Sequence, residues 1–264
     1  TPERIAAIRS ELHLDDPFLQ RYFRFVWNAV QGDLGKSIRG QTQVSEEILA
    51  RLPSTAELAV AAVIFSVCFG IPIGVIAAQY RGKIIDNTAM VSALVGLSIP
   101  SFWLAIILII IFCIQLKWIS VTGGDGLKDL ILPAFTLGLA PAAVLARLTR
   151  GAILEVIEED YVRTARGKGL KESLIQVRHV LRNALIPVIT YLGILFADML
   201  TGTVFIESVF ARPGLGRFSI NAISARDFPQ VQGLVLFMAT FYVIMNLIVD
   251  ILYGIIDPRI RFAE

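Results

Sequence analysis

Five stretches of this chain are apolar at almost every position and long enough, or nearly so, to cross a bilayer, which takes about 20 residues in a helix. Residues 58–78 and 88–116 contain no Asp, Glu, Lys or Arg. Residues 130–146 are also uncharged and hold Pro133 and Pro141. Residues 184–206 carry one charge, Asp198, and residues 231–256 carry one, Asp250. The longest stretch, 88–116, either tilts or bends at Pro100. Prolines and glycines inside such helices are tolerated where neighbouring helices satisfy the freed backbone groups. The pattern therefore predicts an all-α integral membrane protein, a packed bundle of five transmembrane helices.

The polar segments between these stretches set the orientation. The connection 147–183 holds eight basic residues: Arg147, Arg150, Arg163, Arg166, Lys168, Lys171, Arg178 and Arg182. The connection 80–87 holds Arg81 and Lys83 against Asp86, and the tail holds Arg259 and Arg261. Basic loops face the cytoplasm, so these three segments are expected inside and the C-terminus with them. Residues 1–57, with seven basic and eight acidic residues, are then expected outside. That segment has no apolar run to export it, so a further N-terminal span is expected upstream, six in all with both ends inside. The polar-to-apolar change near 51–53 divides an extracytoplasmic segment, 1–57, from a transmembrane domain, 58–264. Ser54 and Glu57 have capping-box spacing ahead of the first apolar run, which predicts a helix start there.

Composition agrees with this and excludes other classes. Of 264 residues 55% are apolar and 17% charged, against roughly 25% charged in a soluble domain, and the mean hydropathy is +0.69. A chain this short cannot bury so much apolar surface in a soluble globule. A disordered chain, a soluble enzyme and a nucleic-acid binder are ruled out, and a formal charge of +2 implies no polyanionic partner. Cys68 and Cys113 read as buried thiols and form no zinc site with the distant His13 and His179. No Ser/His/Asp or Cys/His set and no metal-ligand cluster is present, so neither catalysis nor a cofactor is expected in this chain.

Gly32-Asp-Leu-Gly-Lys-Ser37 superficially resembles a phosphate-binding loop. That motif needs G-x-x-x-x-G-K-[ST]; its first glycine would fall at Val30, and no buried strand precedes it. A surface turn is the better reading. The inside connection 147–183 is more informative. Its first part reads as a helix with Ile153, Val156 and Ile157 on one face, interrupted by Gly167 and Gly169 at a helix C-terminus. A second helix follows with Leu174, Val177 and Leu181 on one side. Such a helix–glycine–helix elbow suits docking into a groove on another protein. A solvated basic loop obeying the positive-inside rule would look similar.

The run Tyr161-Val-Arg-Thr-Ala-Arg-Gly-Lys-Gly-Leu170, with Arg178-His-Val-Leu-Arg-Asn-Ala-Leu-Ile-Pro187, closely resembles the cytoplasmic coupling loop of ABC transporter permeases of the peptide/nickel import class. Further matches run along essentially the whole chain: Gly32–Ile38, Arg51–Leu58, Leu97–Trp103, Ile131–Leu137, Ala146–Arg150, Glu207–Gly216, Ala225–Pro229, and Asn246–Asp250 with Asp257–Ile260. The order resembles the first of the two permease subunits, whose members carry an extra N-terminal span. Of the general signature Glu-Ala-Ala-x-x-x-Gly only Ala165 and Gly169 are present, as is usual in this subgroup, and Gly167 stands where the subgroup more often has Ala.

The resemblance implies a type I ABC importer permease in a bacterial or archaeal cytoplasmic membrane. It implies a second homologous permease sharing the path, two cytoplasmic ATPases that bind the ATP, and an extracytoplasmic substrate-binding protein. Tyr161, Val162, Arg163, Thr164, Ala165, Arg166, Gly167, Lys168, Gly169 and Leu170 are then the expected ATPase-coupling residues. Short peptides are the expected substrate, with nickel complexes or glutathione as alternatives. An ATP-independent secondary carrier is the competing class, but no inverted repeat is evident. Intramembrane acids usually face a bundle interior or cavity. Asp250 shares a helix face with Asn246 and reads as structural. Asp198 stands where the family stretch is usually apolar or glycine-rich; it either faces the path, favouring a cationic substrate group, or bonds a neighbouring helix.

Overall fold

A computed structural model describes residues 16–119 and 126–256. The described residues are helical throughout, apart from turns and one isolated bridge between Lys36 and Gln43. In chain order the helices are α1 (Phe18–Val30), α2 (Val44–Gln79), α3 (Ile84–Ser98), α4 (Ser101–Leu108), α5 (Leu127–Val156), α6 (Asp160–Gly167), α7 (Arg182–Val209), α8 (Leu215–Ala225) and α9 (Phe228–Ile256). Helices α2, α5 and α9 are long and apolar enough to cross a membrane, and Ile84–Ser98 with Ser101–Gln115 are so together, as one broken span or a re-entrant loop. The fifth expected span, 184–206, lies within the unbroken α7.

Helix α2 does not begin at Ser54. It begins ten residues earlier, at Val44, and runs through Pro53. A proline inside a helix costs about 3 kcal/mol. Val44 and Ile48 are wholly buried against Leu215, Phe218 and Leu234, and burying two such side chains returns about 3–6 kcal/mol. Packing thus carries the helix through a residue that would otherwise end it. The predicted capping box is unused: the Ser54 hydroxyl is buried without a protein partner, and Thr55 does other work described below.

The stretch 88–116 is broken. Pro100 holds φ at −61°, and the preceding Ile99 is extended at φ −81°, ψ 120°, because a proline ring excludes its predecessor from the helical region. The two halves, Ile84–Ser98 and Ser101–Gln115, meet at 96°. The second half loosens into a π-helical turn over Ile109–Gln115.

Helices α2 and α5 form the centre. A Cβ on Gly70 would stand 2.6 Å from the Ala142 carbonyl oxygen, one on Gly74 2.5 Å from that of Ala146, and one on Gly138 2.7 Å from that of Ala62. The helices touch backbone to backbone through small residues, the close approach expected between membrane helices. The Ser66 hydroxyl donates across the crossing to the Gly138 carbonyl at 2.9 Å. Leu58, Leu145, Val188 and Ile206 fill the core around it. Cys113 is buried as expected, but Cys68 is exposed on α2.

Candidate functional site

Two constructions at opposite ends of the bundle concentrate the polar chemistry. The first is the elbow over 147–183. The helix expected ahead of Gly167 is really two: α5 ends at Val156 and α6 starts at Asp160. Helix α6 ends in a Schellman-type turn. The Gly169 amide donates to the Arg166 carbonyl at 2.9 Å and the Leu170 amide to the Ala165 carbonyl at 3.4 Å, with Gly169 left-handed at φ +74°. Glycine is the residue that takes this conformation freely.

The ten expected coupling residues separate into two groups. Val162 is 0% and Ala165 6% exposed, packed among Ala78, Ala152, Ile153, Ile175, Val180 and Ala184. Tyr161, Arg163, Thr164, Arg166, Gly167, Lys168, Gly169 and Leu170 are exposed. Val162 and Ala165 are three apart and share one face, so the helix is bolted down on that side and presents the other. The predicted face of the following helix, Leu174, Val177 and Leu181, is not the buried one: Val177 is 66% exposed, while Ile175 and Val180 are buried. Residues Ile175–Leu181 are π-helical, wound wider than an α-helix by i→i+5 hydrogen bonds, which brings positions five apart closer to one face than they are in an α-helix.

Ion pairs tie this elbow down. Arg150 donates to both carboxylate oxygens of Asp86, at 2.5 and 2.7 Å, and the Gly82 amide donates to the same group at 2.9 Å. Asp86 is 1% exposed. Arg81 reaches Glu158 at 2.7 Å. Both bonds join the 80–87 connection to the end of α5 and the start of the elbow. Arg166 donates to Glu172 at 2.9 and 3.2 Å, joining the two arms across the glycine turn; this holds the Glu172 carboxyl below the usual glutamate range, helped by Gln176.

The second construction lies at the other end of α2 and α7. Glu207 is fully buried. Its carboxylate accepts from the Thr55 hydroxyl at 2.6 Å and from the Gly216 and Arg217 amides at 2.7 and 3.3 Å. Thr55 in turn accepts from the Leu215 amide at 2.8 Å. A buried carboxylate is tolerable only when so bonded, and these amides are the otherwise unpaired first donors of α8. The loop 210–216 fits around it without slack: a Cβ on Gly214 would lie 2.2 Å from the Glu207 carboxyl carbon, and one on Gly216 2.3 Å from the Val204 Cα. Arg212, almost buried, reaches Glu57 at 2.8 Å.

The false phosphate loop joins this end. Gly32 and Gly35 are both left-handed, at φ +84° and +86°, which makes a turn as expected. Sequence reasoning missed its purpose: the buried Ser37 hydroxyl donates to the buried Asp227 at 2.6 Å, 190 residues away. No local signal marks that pairing. Asp198 is exposed on α7, and Asn246 bonds only back to the Tyr242 carbonyl, at 3.0 Å, among the contacts described. The side chain of Asp250 lies outside the described residues.

Comparison with known proteins follows the same lines. Residues 70–262 match the family described as "Binding-protein-dependent transport system inner membrane component". The chain is 41% identical to the dipeptide transport system permease protein DppB of Escherichia coli (strain K12), over all of this chain and 87% of that one. It is 41% identical to the glutathione transport system permease protein GsiC of Escherichia coli O6:H1 (strain CFT073), over 98% of this chain and 84% of that one. Its fold is similar to a chain of the MetNI methionine ABC transporter in inward-facing conformations, with a TM-score of 0.66, 17% identity, and coverage of 80% of this chain and 96% of that one.

Proposed function

The chain belongs to the family of binding-protein-dependent transport system inner membrane components, and from that premise we propose that it imports short peptides as one of two permease subunits driven by cytoplasmic ATPases. The permease role follows from the family. The peptide substrate rests on the relatives named for dipeptides and glutathione, itself a modified tripeptide. The partners are a second permease, two ATPases and a substrate-binding protein, with the 147–183 elbow and the C-terminus on the ATPase side.

The observation that carries the coupling role is the division of the 161–170 run into a buried face and a presented one. A merely solvated basic loop needs no buried anchor. Here Val162 and Ala165 fix α6 rigidly to the end of α5, so a push on Arg163, Thr164 or Lys168 moves α5 and, through the glycine crossing, α2. Rigid packed elements with discrete arrangements are what such switching requires.

Asp198 belongs to the path in this reading. A carboxylate facing lipid is costly, so an exposed one on an apolar helix faces the second permease or the lumen between them. It favours the amino group of an entering peptide. The test is uptake in proteoliposomes holding the whole complex. Arg163→Glu should leave the complex assembled in the membrane but uncouple ATP hydrolysis from uptake, and unchanged coupling would overturn the docking role. Asp198→Asn should weaken uptake of peptides with a free amino terminus more than of N-acetylated ones; equal effects on both would remove Asp198 from the path.

A further inference from the structure

Helix α1 carries an apolar face that nothing among the described residues covers. Phe18, Leu19, Tyr22, Phe23, Val26, Trp27 and Val30 recur at the one-and-four spacing of a single helical stripe, and all seven are exposed, Phe18 at 76% and Trp27 at 68%. The opposite side carries Arg21, Arg24 and Asn28 and no acidic residue.

The placement of α1 says what meets that stripe. Its polar side, with Phe18 and Tyr22 at the near edge of the stripe, borders a groove of about 300 Å³ shared with Asp33, Lys36, Pro229 and Gln232. Pro229 and Gln232 lie in the opening turns of α9, at one end of a membrane-crossing helix. The Ser37–Asp227 bond holds the same loop to the residue just before α9. Helix α1 therefore sits beside the end of a candidate membrane span. Phe228 at the start of α9 is also exposed.

Charge agrees with that placement. Arg21, Arg24 and Lys36 line the groove against Asp33, while Arg24 is bridged to Asp16 at 2.6 Å. A short cationic helix, aromatic along one face and set beside the end of a candidate span, matches the chemistry of a helix lying in the lipid interface. Trp and Tyr are favoured at that level because one end of the ring is apolar and the other wet.

We propose that α1 lies flat in the phospholipid interface, with its aromatic stripe against the acyl chains and its basic groove at the level of the headgroup phosphates. The occupant of the apolar face is lipid rather than another protein chain. Only the choice of leaflet, the outer one, rests on the orientation proposed above. Such a helix would moor the 16–43 segment, and with it the loop ending at Asp227, to the bilayer.

The experiment uses the assembled transporter in nanodiscs of phosphatidylethanolamine and phosphatidylglycerol, with Cys68 and Cys113 replaced by alanine. Nitroxide labels are placed singly at Leu19→Cys and Phe23→Cys on the stripe and at Gln20→Cys on its polar edge. Relaxation by oxygen, which concentrates in lipid, is compared with relaxation by a water-soluble nickel chelate. Oxygen collisions should exceed nickel collisions at 19 and 23, and the order should reverse at 20. Nickel in excess at all three positions would place the helix in water. Little collision with either reagent at 19 and 23 would place the stripe under another protein chain. Either result overturns the proposal.

Discussion

At Gly169 the backbone, rather than the space around it, decides what can be substituted. A Cβ there would meet nothing within 4 Å, yet φ is +74°, a region that costs other residues roughly 1–2 kcal/mol. Asn enters the left-handed region more readily than β-branched residues do. Gly169→Asn should therefore retain most ATP-coupled uptake and Gly169→Val should lose most of it, with both proteins inserted equally; equal activities would mean that the turn is not required. Gly214 presents the opposite case. Its Cβ would lie 2.2 Å from the Glu207 carboxyl carbon, so Gly214→Ala has to displace a buried, fully bonded carboxylate. It should lower the yield of folded protein, measured as the monodisperse fraction in detergent, far more than Gly32→Ala in the open turn. Glu172 gives a pH statement. Its lowered pKa means that its bond to Arg166 stabilises the elbow above the ordinary glutamate value and is lost as pH falls through the folded value. The effect of Glu172→Gln on coupling should therefore be flat between about pH 6 and 8, and a slope across that window would point to a different titrating group.

Among the elements, the long helices were legible because continuous apolar runs have few other uses, whereas their ends were not. The start of α2 at Val44 depends on Leu215, Phe218 and Leu234, residues far away in sequence, and no local capping pattern could reveal it. The bend at Pro100 was legible as one of two options because proline acts on its immediate neighbour. The buried face before α7 does not follow a 3.6-residue period, because the stretch is wound as a π-helix and buries Ile175 and Val180. Small residues let α2 and α5 approach closely, and the crossing uses Gly70, Gly74 and Gly138 for this. There a single methyl group has nowhere to go, since its neighbour is a backbone carbonyl that cannot rotate aside. Gly74→Ala should cost about 1–3 kcal/mol through overpacking, read as a lower thermal midpoint of the purified complex. An unchanged midpoint would mean that the two helices are free to separate.

For the molecule as a whole, the two polar constructions sit at opposite ends of the same helices, and this gives each a mechanical meaning. Helix α2 carries Thr55 at one end and the 80–87 connection at the other; α5 carries Arg150 at the elbow end; α7 begins beside the elbow and ends at Glu207. In the coupling role proposed above, a displacement of α6 delivered through Val162 and Ala165 reaches Glu207 and the loop it anchors through these packed helices, provided that Asp86 and Arg150 stay joined. Asp86 is buried, and removing one member of a buried pair leaves the other charge uncompensated. The Arg81–Glu158 bond is exposed at both ends and is screened by water and salt. The two pairs join the same segments but should differ in consequence. Asp86→Asn should uncouple ATP hydrolysis from uptake, whereas Arg81→Gln should leave coupling nearly intact and add little salt dependence. Measuring uptake per ATP hydrolysed in proteoliposomes for both variants separates the alternatives. If Asp86→Asn transports normally, the elbow transmits its motion through α6 packing alone; if Arg81→Gln is the more damaging, the exposed pair acts on the ATPase directly rather than bracing the elbow.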